Sequence, residues 1–414
     1  MKNNITLIIL IFIYVLVCIH SAINGGDFDV YLDAAVKLSN GQNIYTPPFI
    51  KNIQYFYSPL FALVLIPFSF NSFVPEFIWL LLTGFLLYRI WILIKSYFDI
   101  SMFSSKEIFI WGGISFFFII RFFLYNITMI QITIFLLWGI LESIRLIKND
   151  KTFLGVVLLA FVINIKLLPL VVLPYLLYRG YFKEFLYVIG FILIFLFLPS
   201  IFIGFEFNSF LLREWWAVIN PFNNEHMIEA WTNSQSLVGI VPVFITHTKN
   251  YLPFKRNFIS LSVETTKLIT IILRLLLIWL TVYFLGRPFH KKVDKISDIR
   301  AISYILLIIP LIFPHQNKYA FIFIFPMVVY ISYYCLLMWK YNRKKTFIVY
   351  LSLLLIISLV YTPFIGSDVI GRYSYDLIHY FRILGISTLL LILFAIIAKP
   401  SVINKLITGI NKNE

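Results

Sequence analysis

The segment GGDFDVYLDAAVKLSNGQNIY, residues 25 to 45, carries three carboxylates, Asp27, Asp29 and Asp33. A carboxylate can cap a helix, meet water, hold a cation or take a proton, and spacing narrows the choice. Phe28, Tyr31, Leu32, Ala35 and Leu38 recur at helical intervals, and Asn40-Gly41 is a C-terminal stop, so the segment predicts a short helix. Asp27 then falls at the N-cap or in the first turn, where the helix dipole favours the ionised form. Asp29 and Asp33 share the opposite, wetter face. Spacing alone is satisfied by one cap and two solvated acids; a proton acceptor is the sharper alternative. Lys166, in the apolar run GVVLLAFVINIKLLPLVVLP, is a second candidate. An unpaired ammonium inside a membrane costs about 3 kcal/mol, so Lys166 either snorkels to the interface or serves a ligand.

The chain that must position these residues is very apolar. Of its 414 residues 61% are hydrophobic and 13% charged, with only 19 acids. A soluble domain could not cover so much apolar surface. Many nearly uncharged windows of about 18 to 22 residues are long enough for a hydrocarbon core of about 30 Å. The expectation is an all-α polytopic membrane protein, one integral membrane domain over residues 1–414. A net charge of +15 would suggest nucleic acid in a soluble protein. Here Lys and Arg sit mostly in short loops between apolar runs, the pattern of cytoplasmic loops, and no nucleic-acid partner is expected. Cys18 and Cys335 fall inside predicted spans and suggest neither a disulfide framework nor a metal site.

Loop charges set the topology. Residues 5–22 read as an uncleaved first span with Lys2 inside, which places 23–75 outside. Within that loop, 57–70 is short and carries Pro59 and Pro67, and reads as a re-entrant or interfacial helix. Spans follow at 76–95, 108–122 and 128–146. A hairpin at 153–177 breaks around Asn164 and Lys166, and a span at 185–203 leads to a second external segment, 204–264. Spans at 266–285, 299–314, 319–339, 346–365 and 380–398 complete a bundle of about eleven transmembrane helices.

The pattern DFDVYLDAAVKLSNGQNIY followed by FYSPLFALVLIPF resembles the first external loop of glycosyltransferase family 87, within the GT-C superfamily of membrane glycosyltransferases. Similar pieces follow in family-like order: the amide-rich turn NITMIQITIF, the run containing Lys166, and NSQSLVGI in the second external segment. The resemblance runs over roughly residues 10 to 330. It implies an enzyme that uses a polyprenyl-phosphate sugar, most often mannose, with a glycan or glycolipid acceptor and a catalytic acid in this loop. That acid corresponds to Asp27, with Asp29 as its rival.

One acid would be enough for such chemistry. A polyprenyl phosphate leaves without protonation, whereas a glycosidase needs two carboxylates because its leaving group is an alkoxide. The remaining need is for cations on the departing phosphate. Lys166, Arg121, His315 and Lys318 are the candidates; interface anchoring suffices for Arg121 and a simple hydrogen bond for His315. Tyr31, Tyr57, Asn233, Gln235 and Ser236 are candidates for sugar or acceptor hydroxyls, although the last three also fit an ordinary polar turn. Trp215, Trp216 and Trp231 fit an aromatic belt as well as a sugar platform. No phosphate-binding loop, dinucleotide fingerprint, His/Cys metal spacing or nucleophile elbow occurs. No cofactor is therefore expected, although an acid and a phosphate together could share a divalent metal. The Lys-, Asn- and Ile-rich composition suggests an AT-rich bacterial genome and so a bacterial inner membrane, and the loop charges place the site outside. A transporter or flippase for a lipid-linked saccharide is one alternative, but it would show inverted repeats, and none is visible. A polysaccharide polymerase is another.

Overall fold

The computed structural model describes residues 2–230, 234–248, 252–341, 348 and 359–410. Regular structure among them is helical, apart from an isolated bridge between Thr246 and Leu261. Among the described residues four helices are long and apolar enough to cross a membrane: Phe73–Lys95, Phe182–Ile203, Val263–Leu285 and Lys318–Lys340. Counting each of three bent helix pairs as one span raises the number to seven. Most of the expected span 346–365 lies outside the described residues. One other, 108–122, is broken into Ser105–Phe117 and Ile120–Thr128, bent by 51°. The span expected at 380–398 is present as Ile383–Ile397, preceded by Arg372–Tyr380 across a 58° bend at left-handed Arg382.

The chain forms two compact units. The first comprises residues 1–93, 124–177 and 181–220; the second comprises 94–123, 178–180 and 221–414. Ten helices open the chain: α1 Lys2–Asn24, α2 Phe28–Ser39, α3 Pro59–Leu65, α4 Phe73–Lys95, α5 Ser105–Phe117, α6 Ile120–Thr128, α7 Thr133–Lys148, α8 Thr152–Ile165, α9 Val172–Arg179 and α10 Phe182–Phe197.

Within the first unit α2 buries the face its periodicity predicts, Phe28, Tyr31, Leu32, Ala35 and Leu38, and packs on α3. Helix α3 starts at Ser58, whose hydroxyl accepts from the Phe61 N–H, with Pro59 at the position where a missing N–H costs nothing. It is seven residues long, in keeping with the short element read at 57–70. Helices α7, α8 and α10 pack in sequence. Helix α8 stops at Ile165 because Lys166 is extended (φ −150°, ψ 135°), and Pro169 has no N–H to offer the Ile165 carbonyl. The expected break in this hairpin is therefore present at Lys166. Helix α7 begins at Thr133 rather than at 128, for a reason that lies in the site.

In the second unit, Ser262 caps Val263–Leu285 and Asp294 caps Lys295–Ile312. The segment Lys318–Lys340 starts as a 3-10 turn and continues as a helix from Phe325.

Candidate active site

In the first unit the chain between α1 and α2 lies flush against the turn between α6 and α7. A Cβ on Gly26 would stand 2.6 Å from the Met129 carbonyl oxygen, and one on Gly25 would stand 2.3 Å from the Asp29 carboxylate. This close approach lets the Asp27 N–H donate to the Met129 carbonyl at 2.8 Å. The turn itself is unusual. Ile130, a branched and fully buried residue, takes a left-handed φ of 47°, which ends α6 and delays α7.

Gln131 follows and is held from three sides. Its N–H donates to the Asn126 carbonyl at 2.9 Å, its carbonyl accepts from the Trp79 indole at 3.2 Å, and its side-chain amide donates to the Asp27 carboxylate. Asp27 thus occupies the N-cap position of α2, but its side chain makes no capping bond. The cap expected from sequence is replaced by a bond to an amide 104 residues away. Burial pushes the Asp27 carboxyl above the usual carboxylate range, while the Gln131 hydrogen bond and the charges of Lys166 and Lys51 pull it back.

The other two acids of the segment are engaged differently. Asp29 pairs with Lys51 at 2.6 Å. Asp33, expected simply in water, pairs with Lys37 at 3.1 Å on the same helix and stays partly exposed. Glu76, fully buried in the first turn of α4, lies beside Asp29.

Lys166 sits where α8 breaks, its ammonium 5.0 Å from the centre of the Tyr57 ring. Tyr57 and Tyr31 are buried and joined through their hydroxyls at 2.7 Å, and Phe61 packs on both rings. The Trp215 indole donates to the Phe56 carbonyl at 3.2 Å and so steadies the chain that carries Tyr57, whereas Trp216 is exposed.

The second unit holds the other sequence candidates in two places. Glu229, 1% exposed, accepts with one oxygen from both the backbone N–H of His315 (2.8 Å) and its ring Nδ1 (2.7 Å). The His226 ring stands edge-on to His315. Arg121 and Lys318 meet at Tyr375, their charged groups 5.8 and 4.9 Å from its ring centre. Gln235 and Ser236 are wholly buried; Ser236 shares a hydrogen bond with Ser234, and the Gln235 N–H donates to the Gln316 carbonyl. Asn233 and Trp231 lie outside the described residues.

Sequence reasoning had no role for Gln131, Glu76, Glu229 or Tyr375. The available signals were faint: polar side chains inside apolar runs, most plainly in NITMIQITIF. Among the described residues no group of three or more His, Cys, Asp and Glu could hold a metal ion. The first unit can offer an attacking hydroxyl a half-buried, amide-held carboxylate, with an ammonium acting on it from the break in α8.

A sequence profile of glycosyltransferase family 87 matches residues 55–314. The matched stretch contains Gln131, Lys166 and Glu229, while Asp27 precedes it and His315 follows it directly. Neither a curated protein nor a solved structure matches the chain.

Proposed function

Because the chain belongs to glycosyltransferase family 87, we propose that this membrane glycosyltransferase moves a sugar, mannose by preference, from a polyprenyl phosphate to an acceptor hydroxyl. The site would face outside a bacterial inner membrane, in a bundle of about eleven spans, and the acceptor would be a glycan or glycolipid. Asp27 takes the proton of the acceptor hydroxyl as its oxygen bonds to the anomeric carbon. The bond from that carbon to the phosphate oxygen breaks on the opposite face, so the configuration inverts. The electron pair leaves on the polyprenyl phosphate, which needs no proton but gains from nearby cations. Lys166 fills that role in the first unit, with Arg121, His315 and Lys318 as the further cations proposed for the donor. Tyr31, Tyr57, Gln235, Ser236 and Asn233 are the proposed contacts to sugar or acceptor.

The observation that carries this reading is the Asp27 carboxylate, half-buried and held by a neutral amide rather than neutralised by a salt bridge. Asp29 already shares its charge with Lys51. The test uses purified protein, a polyprenyl-phosphate mannose and a panel of acceptors. Asp27→Asn should keep its fold and its donor affinity while losing about 10²- to 10⁴-fold in transfer rate. Wild-type rates in Asp27→Asn would remove Asp27 as base. Donor that is never consumed, whatever the sugar and acceptor, would favour the transporter or flippase alternative.

A further inference from the structure

In the first unit three successive backbone carbonyls, those of Phe56, Tyr57 and Ser58, each accept a hydrogen bond from an aromatic side chain. The Trp215 indole donates to the first at 3.2 Å, the Tyr45 hydroxyl to the second at 2.8 Å and the Tyr55 hydroxyl to the third at 3.1 Å. All three donors are buried. The Tyr57 ring, at the centre of this stretch, packs against the rings of Tyr55 at 5.5 Å, Tyr31 at 4.6 Å and Phe61 at 5.5 Å. Its hydroxyl is engaged with that of Tyr31. Main chain, ring and hydroxyl are therefore all fixed. Over the ring so fixed lies the Lys166 ammonium, 5.0 Å from its centre. The charge of Lys166 acts on Asp27, and that of Asp27 acts on Tyr57.

A lysine ammonium rides on a flexible four-carbon stem, and holding it in one place costs rotamer entropy. A carboxylate could hold it but would cancel its charge. The face of an aromatic ring attracts a cation through its quadrupole and leaves the charge intact. The same attraction offsets part of the cost of keeping an ammonium away from water. We propose that Tyr57 is a positioning residue for Lys166: its ring face seats the ammonium, and Tyr45, Tyr55 and Trp215 hold the seat still. The use of that ammonium in transfer rests on the glycosyltransferase reading; the seat rests on the geometry within this unit. The role belongs to the ring, apart from any contact between the Tyr57 hydroxyl and sugar, and Tyr57→Phe tells the two apart.

The test combines transfer rates and thermal unfolding midpoints of the full-length protein in detergent, with polyprenyl-phosphate mannose and the acceptor panel. Tyr57→Leu should lower kcat about tenfold with little change in donor KM, because the phosphate gains charge only as it departs. Tyr57→Phe, which keeps the ring face, should recover most of that loss. In a Lys166→Met background Tyr57→Leu should cost less than about twofold more, since the ring acts through the ammonium. Fluorine added stepwise to the ring of the Tyr57→Phe variant withdraws charge from its face at nearly constant shape, so the rate should fall with each fluorine. This series carries the result if Tyr57→Leu fails to fold. A lysine that merely passes the ring would be indifferent to it. Equal losses in Tyr57→Phe and Tyr57→Leu would assign the effect to the hydroxyl and overturn the seat. A flat fluorine series, or losses fully additive with Lys166→Met, would overturn it too. The unfolding midpoints keep the two readings apart, because Tyr57→Leu and Lys166→Met should be less than additive there whether or not sugar moves. Such coupling in a protein that never consumes donor would count against the transferase reading and leave the seat. Additive midpoints alongside normal wild-type transfer would remove the seat and leave that reading intact.

Discussion

At the scale of the residue, the governing contrast is between Asp27 and Asp29, two positions apart and differently neutralised. Asp29 is tied to an ammonium at 2.6 Å. Asp27 is tied to the Gln131 amide, which stabilises the carboxylate without cancelling its charge. Burial works the other way and holds the Asp27 pKa above the ordinary value of 3.8. A base works deprotonated, so transfer should rise with pH through this raised pKa and fall away below it. The acid limb of the pH–rate profile should thus stand to the alkaline side of an exposed aspartate. Gln131→Leu removes the bond that favours the ionised form; the limb should move further towards alkaline pH, with a rate loss of about tenfold below it. An unmoved limb would show that the amide does not act on the base. The same shift has a stability sign. The folded state binds this proton more tightly than the unfolded chain, so the contribution of Asp27 to stability declines as pH rises from the ordinary value through the folded one.

At the scale of the element, the site depends on two short connections, residues 25–27 and 129–132, that fit each other backbone to backbone. Gly26→Ala would put a methyl group 2.6 Å from the Met129 oxygen, where neither chain has slack. It should cost about 1–3 kcal/mol, visible as a lower unfolding midpoint, and should reduce transfer because Asp27 moves with the loop. Gly113→Ala, where an added Cβ meets nothing within 4 Å, serves as the control and should be neutral or slightly stabilising. These two connections also mark the limit of what the sequence makes legible. Helix α2 is readable because its apolar residues follow a 3.6-residue period and Asn40-Gly41 ends it. The short α3 is readable from Pro59 and Pro67, and the break at Lys166 from a charge and a proline in an apolar run. The turn at 129–132 is not readable. An isoleucine in the left-handed region has no local signature; the turn around it is pinned by Gly26 against Met129 and Ile130 and by the Trp79 indole on the Gln131 carbonyl, partners distant along the chain. For the same reason Asp27 could be singled out in the sequence as a candidate acid, but its partner Gln131 could not.

At the scale of the whole molecule, apolar helices of similar hydropathy have very different surroundings. The most apolar window of Lys318–Lys340 is 100% buried and that of Val263–Leu285 only 17%. Composition alone cannot distinguish them, since lipid and a protein interior ask for the same side chains. Substitution can. Met327→Ala and Leu337→Ala, both at 0% exposure, should each cost about 2–5 kcal/mol. Leu268→Ala and Leu275→Ala, each 57% exposed, should stay within about 0.5 kcal/mol. Denaturant or thermal unfolding in detergent measures both pairs, and equal costs would mean that the enclosed span is not enclosed.

That enclosed span also bears on biogenesis. A segment with mean hydropathy 2.1 is apolar enough to leave the insertion machinery for lipid unaided. In the finished protein, however, its most apolar stretch is enclosed by protein. Its insertion and its packing are therefore separate events, and the second must wait until its neighbours have been synthesised. A lesion in Lys318–Lys340 would leave a chain correctly threaded through the bilayer yet unassembled, so damage there would surface in membrane quality control before it surfaced in catalysis.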